Sequence, residues 1–410
     1  MKKIITILLI FVLSEGYGQK ENFYNLLDSA KVLFKIERNF DQQELDSFNY
    51  YRIVELLNDA IKINPNNSEA RYFLGYAYSR INSRDGRSMI AMNPELVIKS
   101  SEELEKVIKL SPKYNGEIVI LDPYSKISAE WGSLAMSYWH NNKSDSAIWA
   151  FKEGKKRGGF GDFILELNKK VLDACSPNSI LISSGDNFTI PLWYLQISQA
   201  YRTDVKVIDI SLLNTKWYPN YLSKNNIIKF DLPNSVLDTM EYLSWKDSLI
   251  TIGNFSWTVK PTYYEKYIFR GDRVFLSLLK QNRFEKDIFF TFGFSEDQRL
   301  NLTNHLTSSI IVDKVFTNKK PIINSEDYNN SMIQFLQLSK YLNKNSPDEI
   351  GLFEYFRYVL LLQVNEFISN HEKTKAKKLL DIMDKYANEI KFPFENEKNS
   401  KYVEYLRSKL

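Results

Sequence analysis

The chain has one cysteine, Cys175, so no disulfide can form within it, and its stability has to come from packing. The setting Lys170-Val171-Leu172-Asp173-Ala174-Cys175 reads as the end of an apolar helix, where a thiol serves as a small buried hydrophobe rather than a nucleophile. Histidine is almost as scarce. His140, His305 and His371 lie far apart, none in an HExxH or a Cys/His cluster, so zinc is not expected and no cofactor is indicated. A GxGxxG, a Walker-type loop and a GxSxG elbow are also missing, which argues against nucleotide binding and serine-hydrolase chemistry. The 54 basic and 50 acidic residues leave a net charge of +4 with the two signs interspersed. Its densest basic stretch, Lys152 to Arg157, is too short for a nucleic-acid arm, so no nucleic-acid partner is expected. Beyond the N-terminus no apolar run approaches the roughly 18 residues of a membrane span.

What is present is length and aromatic mass. The 410 residues suit two or three domains. Aromatics make up 14%, with 25 Tyr and 26 Phe, enough to pack large cores and leave some tyrosine for a binding surface. Met1-Lys2-Lys3 is a short basic segment, and Ile4 to Leu13 is apolar except for Thr6. Gly16-Tyr17-Gly18 then offers small residues before Gln19. This reads as a signal peptide, 1–18, cleaved near Gly18, and predicts a periplasmic or otherwise extracytoplasmic protein.

Residues 19–170 carry a helical-repeat pattern. Its clearest copy is Trp131-x2-Leu134-Ala135-x2-Tyr138 followed by Ala147-x3-Phe151-x2-Gly154. A second copy holds Leu74-Gly75-x2-Tyr78, then Leu104-x2-Val107 and Pro112, split by a polar insertion from Asn82 to Pro94. An earlier second helix shows Ile53-x3-Leu57-x2-Ala60 and stops at Pro65, and its partner would be roughly 21–36. In such repeats small residues let two helices approach while large ones fill the gap, and the pattern resembles tetratricopeptide repeats. Stacked repeats of this kind present a concave surface to a partner protein.

The composition changes after Ser176. Asn178 to Ser184 reads as a buried strand, Gly185-Asp186-Asn187 as a turn, and Thr189 to Tyr201 as a helix with Pro191 in its first turn. Val205 to Ile210 reads as a second strand, which makes a βαβ unit and a parallel pair. Further expected elements are a strand at 287–292, a helix at 296–305 and a strand at 309–315. Residues 225–264 read as irregular and rich in aromatics. An amphipathic hairpin, 354–370 and 374–387, closes the chain. The predicted fold class is α+α/β, with helical repeats at 19–170, a small Rossmann-like α/β domain at 176–320 and a helical C-terminal region at 328–410.

Ligands of open α/β sheets sit at the C-terminal strand ends. Gly185, Asp186, Asn187 and Asp209 fall there and are the candidate ligand-binding residues. Asp186 is equally well explained as a turn or capping residue. Trp193, Tyr194, Trp217 and Tyr218 are candidates for a second contact face, although packing of the helix on the sheet also accounts for Trp193.

The run Gly185-Asp186-Asn187-Phe188-Thr189-Ile190-Pro191-Leu192-Trp193-Tyr194-Leu195-Gln196 is distinctive, as are Arg202 to Ile208 and Ser211 to Tyr218. Together they resemble the soluble region that follows the membrane helices in bacterial protein O-mannosyltransferase-like membrane proteins. There the run has Asp where Phe188 stands here. The resemblance implies an accessory or recognition module, because in that family the transfer chemistry belongs to the membrane-spanning part. It also implies an extracytoplasmic location and allows peripheral association with a membrane complex. The expected function is an exported, non-catalytic interaction protein that binds a protein or glycoprotein partner. The alternative is a glycan- or glycoprotein-acting enzyme, or enzyme subunit, with its site at the end of the first α/β strand.

Overall fold

The computed structural model describes residues 2–37, 48–83, 86, 88–309, 311–318 and 325–410. Contacts divide the chain into two units, Met1–Gly159 and Phe160–Leu410.

The first unit is built of helices. Its helices are α1 (Lys2–Glu37), α2 (Tyr50–Ile63), α3 (Ser68–Ser83), α4 (Pro94–Leu110), α5 (Pro123–His140) and α6 (Ser144–Lys156). Each helix packs on the next, as expected for a stack in which no repeat buries its apolar face alone. Helix α1 runs without a break through both the apolar N-terminal stretch and the expected repeat helix at 21–36. No helix among the described residues is long and apolar enough to cross a membrane.

The small-against-large logic of the pattern is visible in two places. A Cβ added at Gly75 would stand 3.0 Å from Leu104 Cγ, so only glycine lets α3 and α4 approach this closely. Between α5 and α6, Ala135, Ala147, Phe151 and Gly154 are all buried. Trp131, 1% exposed, donates its indole N–H to Ser101 Oγ at 2.9 Å, and the Arg157 guanidinium lies 5.1 Å from its ring. One side chain thus joins α4, α5 and the end of α6. Trp131→Ala should lower unfolding free energy by about 3–5 kcal/mol, and Trp131→Phe by about 1–2 kcal/mol, read as shifts in urea midpoint.

The second unit begins with α7 (Asp162–Ala174), β1 (Ile180–Ser183), α8 (Asp186–Gln199) and β2 (Lys206–Asp209). It continues through α9 (Trp217–Lys224), α10 (Asn234–Thr239), β3 (Leu243–Ser244), β4 (Ser248–Ile252), β5 (Phe255–Val259) and β6 (Tyr267–Ile268). Then come α11 (Arg270–Asn282), β7 (Ile288–Thr291), β8 (Leu306–Ser308) and β9 (Val312–Val315), followed by α12 (Ser325–Leu336), α13 (Pro347–Ser369), α14 (Lys373–Ala387) and α15 (Glu397–Ser408). Five strands form one sheet in the order β2-β1-β7-β9-β8. β1 pairs in parallel with both β2 and β7, placing Ser183 opposite Asp209 and Ile182 opposite Phe290. β9 pairs antiparallel with β7 and β8. β1 and β7 are buried along their whole length, as suits strands covered on both faces. The chain is therefore α+α/β, with a small mixed sheet.

Several expectations need correction. The first unit ends at Gly159 rather than near 170, because α7 buries Phe163, Leu167, Val171 and Leu172 and packs on α8. The separate C-terminal region also dissolves into the second unit: Phe163 meets Phe335 and Phe353 edge-on, each at 6.0 Å. Residues 296–305 are turns ending in a single 3-10 turn, not a helix. Leu300 and Asn301 have φ of 51° and 61°, and Trp257 Nε1 donates to the Leu300 carbonyl at 2.8 Å, which holds that bent path. The stretch 225–264 is not irregular throughout. Ser248–Ile252 and Phe255–Val259 form a hairpin across the two-residue turn Gly253-Asn254. The last helical pair starts earlier than expected, at Pro347, since Ser346 caps it by accepting from Glu349 N.

Candidate functional site

The first helix of the βαβ unit starts earlier than its sequence suggests. Gly185, at φ 82°, makes the turn, and its carbonyl accepts from the backbone N–H groups of Phe188 and Thr189. Asp186 therefore opens α8, and Pro191 lies inside the helix rather than in its first turn. Proline cannot donate to the carbonyl four residues back, which is that of Asn187. Asn168 of α7, wholly buried, supplies the missing donor through Nδ2 at 3.2 Å.

The strand ends are locked by one polar cluster. Thr189 Oγ1 donates to Asp209 Oδ2 at 2.5 Å, and Ser183 Oγ stands 2.8 Å from Thr189 Oγ1. With its one proton given to Asp209, Thr189 accepts from Ser183. Asp209 Oδ1 accepts from Leu212 N at 2.8 Å, and the Asp209 backbone N–H donates to Tyr218 Oη at 3.3 Å. Burial pushes the Asp209 carboxyl up to about 6 against the hydrogen bonds from Thr189 and Leu212, and the negative charge of Asp186 adds to the rise.

A cleft of about 430 Å³ opens beside this cluster. It lies beyond the C-terminal ends of β1 and β7, where the chain first moves to β2 on one side of β1 and later returns to β7 on the other. That is the topological switch point, where the parallel-sheet architecture leaves a crevice. Ser184, Asn187 and Phe188 form one wall, Phe292 and Gly293 the floor, and Asp348, Gly351 and Tyr355 of α13 the opposite wall. Gly293 has φ 91°, so glycine turns the chain away from β7 without filling the space. Phe188 meets Phe292 edge-on at 4.7 Å, and Phe292 stacks on Tyr355 at 5.4 Å. The aromatic at 188, where the similar motif has Asp, thus builds a wall and removes a charge.

The expected site residues separate in this geometry. Asn187 lines the cleft, whereas Gly185 and Asp186 sit exposed at its edge as turn and first helical residue. Asp209 turns inward and holds the frame. Trp193, Tyr194 and Tyr218 are buried and pack the core instead of forming a contact face: Trp193 lies against Tyr218, and Tyr194 stacks on Phe160 at 4.7 Å. Trp217 is half-buried against Tyr218. Cys175 is buried, its thiol pushed up to about 12 by desolvation, as befits a core residue. The second conspicuous run is also structural. Arg202 donates to the carbonyls of Leu172 and Cys175 at the end of α7 and pairs with Asp204, whose carboxyl it lowers to about 2. Phe292, Gly293, Asp348, Gly351 and Tyr355 were not foreseen as site residues. The Ser346-x2-Glu349 cap with Pro347 marked where their helix begins, but nothing local places that helix against the strand ends.

Two outcomes follow. Asn168→Leu should leave the Asn187 carbonyl unmet and cost about 1–3 kcal/mol, measured by urea denaturation. Folded Asp209 keeps its proton up to about 6 while the unfolded group releases it near 3.8, so the folded state binds more protons between these values. Its contribution is therefore favourable at pH 4 and fades as pH rises through 6. Asp209→Asn should flatten that slope by on the order of 2–3 kcal/mol, read from denaturation midpoints at pH 4 to 7. A slope of the same sign should remain from Asp272, whose buried carboxyl is also raised to about 6.

No curated protein and no solved structure matches the chain. Residues 165–251, which run from within α7 to β4 and contain all three distinctive runs, match the family described as TMEM260-associated domain 2, a domain related to O-mannosyltransferase-like proteins.

Proposed function

We propose that this chain is an exported, non-catalytic interaction protein that holds a protein or glycoprotein partner. The cleft at the ends of β1 and β7 carries this reading. It is preformed, walled by Phe188, Phe292 and Tyr355, and provided with a few polar groups, the make-up of a recognition site. Catalysis would call for a positioned acid and base facing the ligand. The carboxyl beside the cleft with a strongly raised pKa, Asp209, is committed to Thr189 and Leu212 instead.

The helical-repeat unit supports the same reading. Its Trp131-to-Gly154 pattern and the Gly75–Leu104 contact fit tetratricopeptide-like repeats, which present a concave surface to partners. Export rests on the basic and apolar N-terminal segment, and the resemblance of the Gly185-to-Gln196 run to the soluble region of membrane-bound proteins supports work beside a membrane complex.

Gly351 offers a clean test. It sits in the second turn of α13, lines the cleft, and a Cβ built there meets nothing within 4 Å. Gly351→Trp should fill the cleft without disturbing the fold. A photo-crosslinking residue at position 355 should give one dominant adduct in intact cells. That adduct should vanish with Gly351→Trp at unchanged Tm. Adducts indifferent to Gly351→Trp, or none at all, would refute the reading.

A further inference from the structure

A second depression, of about 630 Å³, adjoins the first: Gly351 and Tyr355 line both. It is walled by Tyr358 of α13, by Tyr402 and Asn399 of α15, and by Asn396 at the α15 N-terminus. The two form one groove that passes over Gly351. Glycine inside a helix is unfavourable against alanine, and here the freed space opens into the groove rather than taking up a neighbour.

The outer wall is built in advance of any ligand. Arg357, fully buried, donates to the Phe392 carbonyl at 2.7 Å, and its guanidinium lies 3.6 Å from the Phe394 ring. The Glu354 carboxylate accepts from Glu395 N. These contacts fasten the segment that leads into Asn396 and α15 onto α13.

We infer that this groove binds a neutral oligosaccharide, an inference that rests on the recognition role given to the cleft. Tyr355 and Tyr358 are 47% and 39% exposed, so their rings are offered to the groove while the helix below stays packed. A sugar ring presents an apolar C–H face that stacks on such a phenol, and the phenol hydroxyl can bond as well. Asn187 and Asn399 each bring both a donor and an acceptor, matching sugar hydroxyls, which are both, and Asn396, whose oxygen caps α15, adds its amide N–H donors. Charge narrows the class. The charged lining residues are Asp348, Glu354 and Lys398, which make no cluster of cations to hold an anionic ligand. A peptide that binds by adding a strand needs an open sheet edge, and the groove is lined by helices and strand-end turns.

The test is calorimetric titration of the full chain with neutral hexasaccharides of mannose, glucose, xylose and N-acetylglucosamine. At least one should bind. Tyr402→Ala should weaken it roughly tenfold, or about 1.4 kcal/mol, and Gly351→Trp should abolish it, with Tm unchanged in both variants. Binding by none of the four, or binding that survives Gly351→Trp, overturns the inference. The crosslinked adduct separates it from the broader reading. An adduct that still forms after enzymatic removal of the partner's glycans makes a peptide the occupant and leaves the interaction role standing. An adduct lost with the glycans supports the oligosaccharide. Adducts unaffected by Gly351→Trp bring down both.

Discussion

The architecture of the second unit depends on the hydrogen bonds that join Ser183, Thr189 and Asp209. They tie the last residue of β1, the first turn of α8 and the last residue of β2 into one knot. The knot fixes the helix start relative to the strand ends, and with it the wall formed by Asn187 and Phe188. The knot has a cost that shows how much it is needed: a carboxyl is buried completely, and its affinity for a proton rises accordingly. Conspicuous residues at the head of α8 thus serve position, and recognition passes to their neighbours.

Much of this frame was legible from the sequence because its signals are local. A buried strand, a glycine turn, a helix and a second strand within about thirty residues describe a βαβ unit and its parallel pair. The repeat helices announce themselves through small and large residues at fixed spacing. The second wall of the cleft is another matter. Phe292 and Tyr355 reach Phe188 only through the order of the sheet and the docking of α13, and no spacing records that.

Two misreadings had local remedies. Phe188 to Leu195 are eight consecutive buried residues, and a helix apolar on every side belongs inside the protein. Trp193 and Tyr194 were therefore core residues from the outset. In the hairpin, Phe255, Trp257 and Val259 alternate with Ser256 and Thr258 after Gly253-Asn254, which is a strand signal that aromatic richness obscured.

The bond from Asn168 to Asn187 has a consequence for where this fold can be cut. A helix with an internal proline is short of one donor, and here the donor comes from the preceding helix, α7. Helix α8 is thus incomplete as an autonomous piece, although the change in composition after Ser176 invites separation there. A fragment begun at that point would carry the whole βαβ unit and still lack the side-chain donor that meets the Asn187 main-chain oxygen. The portable segment must include α7, and the stretch shared with the related domain, which starts at 165, does include Asn168.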